Sequence, residues 1–170
     1  TLHNYWFKKY NIDANYLTRE IEEEEIKNLI LKVKNKEITG LNVTLPYKQK
    51  VIPFLDKLVN DAKESGSVNT IFLDKDNNIV GENTDVFGLQ AGYFKEIIDN
   101  KSPRKSALVL GAGGVAPSII FALQKSNINN ISISNRTKDK ALFIKKRFPN
   151  ISLIDWSGFN QSLKDFDIII

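Results

Sequence analysis

The sequence predicts an α/β protein in which a mixed α/β domain precedes a doubly wound parallel sheet. After residue 106, short apolar runs typical of buried strands alternate with helical patterns. A glycine-rich turn at 111–114 joins the first of these strands to the helix that follows it. A polar segment at 99–103, which ends in Pro103, separates this regular half from the less regular half before it.

The composition excludes several classes of protein. The 170 residues are 42% hydrophobic and 26% charged, which is typical of a globular protein. With no cysteine and a single histidine, His3, neither a catalytic thiol nor a zinc cluster is available, and we expect a cytoplasmic protein. The apolar runs are far shorter than the roughly 20 residues that cross a membrane. The net charge of +4 comes from basic residues scattered among acids, so we expect small-molecule partners rather than nucleic acid.

The first half contains fewer regular elements. We predict helices at 2–10, 21–34, 47–58 and 86–98, and strands at 15–19, 38–43, 68–73 and 79–81. Asp76-Asn77-Asn78 is a turn signal, so the last two strands should form a hairpin, which we expect at the edge of the sheet.

The second half should form the doubly wound sheet. We predict strands at 107–110, 131–134, 151–154 and 167–170, a helix from residue 115 and another at 138–147. The domains are then 1–85, a connecting helix and linker at 86–101, and 102–170. The chain begins in a helix and ends in a strand, so we expect the first strand of the first domain and the end of the second domain to be missing.

The glycine-rich turn has the pattern G-x-G-x-x-A, formed by Gly111, Gly113 and Ala116, between a strand and a helix. In this context the pattern is typical of a dinucleotide site, where backbone N–H groups at the start of the helix face the pyrophosphate. We therefore expect Gly111, Ala112, Gly113, Gly114 and Val115 to bind a cofactor. The alternative is a glycine turn in a Rossmann-like domain that binds no nucleotide.

The end of the second strand distinguishes NADP from NAD. NAD-binding versions of this fold place an acid there, whereas this sequence has Asn135-Arg136-Thr137, followed by Lys140. Arg136 can stack on adenine and bind a 2′-phosphate, and Thr137 and Lys140 can add a hydroxyl and a charge. These residues favour NADP, although solvated side chains at the start of a helix would give the same pattern.

Three polar clusters in the first half carry a family resemblance. They are N-V-T-L-P-Y-K at 42–48, S-V-N-T at 67–70 and G-E-N-T-D-V-F-G at 81–88. Together with G-A-G-G and N-R-T in the second half, their order and spacing resemble the shikimate dehydrogenases. The resemblance implies a substrate-binding domain followed by a Rossmann-like NADP-binding domain, and NADPH-dependent reduction of 3-dehydroshikimate to shikimate in the biosynthesis of aromatic amino acids.

The resemblance also implies the roles of individual residues. Thr44, Lys48, Asn69 and Asp85 would line the substrate pocket, with Lys48 and Asp85 as the catalytic pair. Ser67 departs from the family, which usually has alanine there. The serine-rich substrate loop and the C-terminal tyrosine and glutamine of the family match no residue of this chain, so we expect the 170-residue segment alone to show little or no turnover.

Other interpretations remain open at this stage. Judged alone, Lys48 could be an exposed lysine and Asp85 an acid in the first turn of a helix. A quinate/shikimate dehydrogenase that uses NAD, a folate-linked dehydrogenase and a non-catalytic NADP-binding protein are the competing functions. Gly81 and Gly88 flank the connection between the domains and could allow their closure. The oligomeric state is not determined by the sequence, and a homodimer is one option.

Overall fold

A computed structural model describes residues 1–95 and 106–170 of the chain. The described residues form two four-stranded sheets with helices packed against them. This arrangement confirms the predicted α/β class. Among these residues, every helix is too short or too polar to cross a bilayer. The predicted linker at 99–103 lies outside the described residues, and the proposed domain boundaries remain a prediction.

The first sheet is mixed. Its strands are β1 (Gly40–Asn42), β2 (Lys57–Leu58), β3 (Thr70–Leu73) and β4 (Ile79–Glu82), in the order β1-β3-β4-β2. Strands β3 and β4 form the predicted antiparallel hairpin, with Thr70 opposite Glu82. The expectation that the hairpin lies at an edge is wrong, because β1 pairs with β3 on one side and β2 with β4 on the other.

Helices surround this sheet. They are α1 (Leu2–Lys9), α2 (Ile26–Lys34), which follows a 3-10 turn at Glu23–Glu25, and α3 (Asp61–Ser65). One face of α2 carries Ile26, Ile30 and Val33, all of which are buried. Ile26 and Ile30 pack with Ile71 of β3 in the first hydrophobic core, so the apolar spacing of this helix determines how it lies against the sheet.

The second sheet is parallel throughout. Its strands are β5 (Ser106–Leu110), β6 (Asn130–Ser134), β7 (Ser152–Leu153) and β8 (Ile168–Ile169), in the order β7-β6-β5-β8. Helix α5 (Ala116–Lys125) connects β5 to β6, and helix α6 (Lys138–Arg147) connects β6 to β7. This is the predicted doubly wound topology. A short helix α7 (Phe159–Ser162) and a 3-10 turn at Leu163–Asp165 precede β8.

Helix α4 (Asp85–Leu89), which continues as a π-helix at Gln90–Phe94, packs with the second sheet. Val86 and Phe94 are buried in the same core as Ile120 and Ile133. Asp85 therefore begins a helix whose apolar face belongs to the second core, whereas Val51, three residues after Lys48, is buried in the first core.

Two sequence-based predictions in the first half are wrong. Residues 15–19, all of which are described, have no regular secondary structure. The backbone N–H and C=O of Tyr16 bond instead to the side chain of Asn4, at 2.7 and 2.9 Å. The predicted helix at 47–58 is a series of turns, a 3-10 turn at Ile52–Phe54 and strand β2, because Pro53 has no N–H to continue an α-helix. Helices α3 and α7 were not predicted.

Gly81 lies within β4 rather than at a hinge. It pairs with Ile71 and Leu58, and a Cβ atom at this position would lie 2.5 Å from Leu55 Cδ1 and 2.9 Å from Val68 Cγ2. A larger residue here would therefore displace the side chains of Leu55 and Val68. Domain closure remains a hypothesis.

Candidate active site

Lys48 and Asp85 form an ion pair at the ends of the first-sheet strands. Lys48 Nζ lies 2.7 Å from Asp85 Oδ2, and the side chains are 10% and 23% exposed. The backbone N–H of Val68 donates to the carbonyl oxygen of Lys48 at 2.8 Å, which attaches the turn carrying Lys48 to the segment before β3. The alternative of an exposed lysine is wrong, because Lys48 as a whole is only 8% exposed. A pair that is close and partly shielded from water has a well-defined orientation.

Asn69 forms a hydrogen bond with the second carboxylate oxygen of Asp85. Its Nδ2 donates to Asp85 Oδ1 and to Thr84 Oγ1, both at 2.9 Å, and its Oδ1 accepts from the backbone N–H of Thr84 at 3.1 Å. Asn69 lies just before β3, and Asp85 follows β4. The antiparallel pairing of Thr70 with Glu82 therefore brings residues 16 positions apart in sequence into contact.

Asn42 contacts this group through the carbonyl of Asn69 and the hydroxyl of Thr70, whereas Thr44 has no hydrogen bond to it among those found for the described residues. Thr44 is exposed, and its carbonyl oxygen accepts from the N–H of Tyr47 at 3.0 Å. Asn42 Nδ2 donates to Thr70 Oγ1 at 3.4 Å, and Asn42 Oδ1 accepts from the hydroxyl of Tyr16 at 3.1 Å. Tyr16 was not predicted from the sequence. Its position depends on the loop after α1, for which the sequence has no recognisable pattern.

The glycine-rich loop joins β5 to helix α5 and has open space beside its first two glycines. Gly111 has a φ of +112°, which L side chains rarely adopt, and its N–H donates to the carbonyl of Ser134 at 2.8 Å. A Cβ atom at Gly111 or Gly113 would meet nothing within 4 Å, so the space beside the loop is open. The N–H of Ala116 donates to Gly113 O at 3.1 Å and starts helix α5, with Pro117 in its first turn as predicted.

Asn135 connects this loop to the end of β6. Its Oδ1 accepts from the N–H of Ala112 at 3.0 Å, and its Nδ2 donates to the carbonyl of Thr137 at 2.7 Å. NAD-binding versions of this fold have an acid at the end of this strand. Here the side chain is a neutral amide, which connects the glycine-rich loop to the end of β6. Arg136, Thr137 and Lys140 are exposed.

A cavity of about 330 Å³ opens beside Asn135 and Arg136. Its other lining residues come from α6 and from the segment that follows β7: Lys138, Ala141, Leu153, Ile154, Asp155 and Trp156. Thr137 and Lys140 lie outside the cavity. The residues after β7 were not predicted, although the carboxyl end of a parallel strand is where ligands bind in such sheets.

Trp156 and Asp155 add an aromatic ring and a carboxylate to the lining of this cavity. Trp156 is 41% exposed and packs against Phe159 with ring centroids 4.9 Å apart, so it presents an aromatic surface. Hydrogen bonds from the backbone N–H and the hydroxyl of Ser157 lower the pKa of the Asp155 carboxyl, with a smaller contribution from the charge of Lys138. The ring of Trp156 together with the cationic Arg136 and Lys138 is suited to a purine nucleotide with a phosphate, whereas the Asp155 carboxylate in the same lining repels a phosphate placed beside it.

Comparisons with known proteins point to a single family. Residues 1–71 match the shikimate dehydrogenase substrate binding domain, and residues 94–170 match shikimate / quinate 5-dehydrogenase. The chain belongs to the shikimate dehydrogenase family. This confirms the resemblance carried by the sequence motifs.

Individual relatives cover nearly the whole chain. It is 47% identical over 169 residues to the shikimate dehydrogenase (NADP(+)) of Pelagibacter ubique, a match that covers 99% of this chain and 61% of the relative. The structure of the shikimate dehydrogenase from Aquifex aeolicus superposes with a TM-score of 0.84 at 33% identity, covering 98% of this chain and 60% of that one. The enzyme from Thermus thermophilus, solved in complex with NADP(H) and shikimate, has a TM-score of 0.77 at 25% identity and covers 99% and 60%. The chain thus spans about 60% of the length of these relatives.

Proposed function

We propose that the protein reduces 3-dehydroshikimate to shikimate with NADPH, in the biosynthesis of aromatic amino acids. The observation that carries the proposal is the Lys48–Asp85 pair, held at 2.7 Å and oriented by Asn69. A non-catalytic nucleotide-binding protein has no use for a partly buried pair of this kind. The closely similar relative from Pelagibacter ubique, named a shikimate dehydrogenase (NADP(+)), supports the same function.

The chemistry follows from the pair. NADPH, when bound, would supply a hydride to the carbonyl carbon of the substrate, and the carbonyl oxygen would take the electron pair of the broken C=O π bond as an alkoxide. The Lys48 ammonium donates a proton to this oxygen, so a C–H and an O–H bond have formed, and Lys48 then recovers a proton from water. Asp85 orients the ammonium and accepts a hydrogen bond from a ring hydroxyl. General acid catalysis of this type contributes about 10² to 10⁴ in rate.

The second half of the chain fits NADP. The open space at Gly111 and Gly113 leaves room for the pyrophosphate against the start of α5. Arg136 and Trp156 line the cavity that would take the adenosine with its 2′-phosphate. Thr137 and Lys140 are exposed nearby and would contribute from outside the cavity.

The experiment that tests the function is a spectrophotometric assay on the purified full-length gene product. We expect NADP⁺ reduction that depends on shikimate, and NADPH oxidation that depends on 3-dehydroshikimate. Absence of both reactions in a folded, NADPH-binding protein would contradict the proposal.

Quinate is the second candidate substrate. The family matched by residues 94–170 is named for both shikimate and quinate. The quinate dehydrogenase of Corynebacterium glutamicum, solved in complex with NAD, has a TM-score of 0.72 at 26% identity. Asn135 and Arg136 in place of an acid favour the NADP enzyme. Turnover of quinate with NAD⁺ that exceeds turnover of shikimate with NADP⁺ would reverse this preference.

The cellular setting belongs to the same proposal. We propose that the protein works in the cytoplasm, since the absence of cysteine fits a reducing compartment, and that its partners are the substrate and the cofactor. Gel filtration with light scattering would distinguish a monomer from a homodimer.

A further inference from the structure

A buried hydrogen-bond network connects the candidate catalytic residues to the cofactor loop. Its centre is Asn83, which is 3% exposed and precedes Asp85 by two positions. Asn83 Nδ2 donates to the carbonyl of Ser67 at 2.7 Å and to the hydroxyl of Ser118 at 2.9 Å. Asn83 Oδ1 accepts from the backbone N–H of Val86 at 3.2 Å. One amide therefore joins the segment before β3, the first turn of α4 and the first turns of α5.

A second set of contacts joins the same elements around Gly114. The hydroxyl of Ser67 donates to the carbonyl of Gly114 at 3.2 Å, and Ser67 is fully buried. Leu45, next to Thr44, lies over Gly114, since a Cβ atom there would be 2.4 Å from Leu45 Cδ2. The loops that carry Thr44 and Asn69 thus rest directly on the glycine-rich loop.

The network lies close to the candidate catalytic residues. Ser67 precedes Asn69 by two residues, and Asn83 precedes Asp85 by two, so the network adjoins both partners of the hydrogen bond between Asn69 and Asp85. Because the network is buried, its members have few alternative partners in water, and its arrangement is well defined.

We propose that Asn83 is a positioning residue, which with Ser67 and Ser118 couples cofactor binding at the glycine-rich loop to the alignment of Lys48 and Asp85. NADPH and shikimate then bind cooperatively, because each ligand stabilises the same arrangement of the network. This inference rests on the proposed function. It adds to that function an energetic link between the two sites, to which Ser67 contributes.

The test measures how strongly shikimate affects the binding of NADPH. The dissociation constant of NADPH is determined by fluorescence titration of the full-length gene product, with and without saturating shikimate, a combination that does not turn over. We expect shikimate to tighten NADPH binding about tenfold, within the usual range of coupling between sites. In Ser118→Ala and in Asn83→Ala, shikimate should tighten NADPH binding by less than about twofold. The double variant should show no smaller effect than the single variant with the smaller effect, because both substitutions break the same network. Ser67→Ala should reduce the effect partially.

The control is Lys125→Ala. Lys125 lies at the end of the same helix α5 and bonds Asp61 at 2.9 Å, so this variant removes another contact between the two halves of the chain outside the network. It should keep the full tenfold effect. Ser118→Ala removes a single hydroxyl and keeps the experiment decisive even if Asn83→Ala fails to fold.

The outcomes separate the two proposals. Shikimate-dependent NADP⁺ reduction without any coupling in the wild-type protein would overturn the inference and leave the function standing. Variants that melt at lower temperature but retain the tenfold effect would overturn it too, because the network would then be only structural. A wild-type protein with no turnover of shikimate would overturn the function and the inference together.

Discussion

Replacement of Lys48 by methionine tests the proposed proton donor most directly. Methionine keeps a long unbranched side chain but removes the ammonium that lies 2.7 Å from Asp85 Oδ2. Loss of a general acid should lower kcat about 10² to 10⁴-fold, which corresponds to about 2.7 to 5.5 kcal/mol in activation free energy. The dissociation constant of NADPH should change less than about twofold, since Lys48 lies outside the cofactor loop and the cavity.

The cost in folding stability should be modest. Asp85 keeps the hydrogen bond from Asn69 at 2.9 Å, and its side chain is 23% exposed, so water can replace the lost partner. We expect a loss of about 1 to 3 kcal/mol, the usual cost when one partner of a hydrogen-bonded pair is removed.

The assay combines three measurements on Lys48→Met, namely the rate of shikimate-dependent NADP⁺ reduction, a fluorescence titration with NADPH, and thermal unfolding. Lys50→Met is the matched control, because Lys50 is 43% exposed and pairs with Glu23 at the surface. It should retain wild-type kcat. A folded Lys48→Met protein with kcat within tenfold of wild type would refute the assignment.

Three further predictions concern the cofactor site and stability. Arg136→Ala should raise the Michaelis constant for NADPH with little change for NADH in the full-length gene product, and an equal effect on both cofactors would remove the assignment. Titration with 2′,5′-ADP should quench the tryptophan emission of the wild-type protein more than that of Trp156→Phe, because Trp156 lines the cavity; the same quench in both proteins would place the nucleotide elsewhere. The hydrogen bond from Lys57, followed by that from the backbone N–H of Asn78, lowers the pKa of Asp74, so its contribution to stability is complete above the unfolded pKa of about 3.9 and is lost as the pH falls below it. Thermal melts of Asp74→Asn should therefore show a lower Tm at pH 7 and a smaller further fall below about pH 4, and a parallel shift at all pH values would contradict this.

In the described part of the second half, the four strands and the two longer helices could be predicted from the sequence, whereas helix α7 and the turn after it could not. Helix α6 begins and ends where the pattern predicts, and the four parallel strands lie within or next to the predicted ranges. Strands in a parallel sheet are buried on both faces, so each one reads as a short apolar run between helices, and the glycine-rich turn indicates where the first of them ends.

The first half was harder to predict because its elements are short and their bonds are not local. The segment 15–19 has strand-like residues, yet Asn4 satisfies the backbone of Tyr16. Between residues 47 and 58 the apolar spacing resembles a helix, but Pro53 and the pairing of β2 with β4 impose another conformation.

The sequence by itself determined the fold class, the family, and the candidate residues Lys48, Asp85, Asn69 and Arg136, since their motifs are local and have a fixed order. Only the tertiary structure decided how these residues meet. Strand pairing brings Asn69 to Asp85, the segment after β7 adds Trp156 to the cavity beside Arg136, and Asn83 joins both halves of the chain. These contacts link positions far apart in sequence, and they form only when two separate cores pack their elements into place.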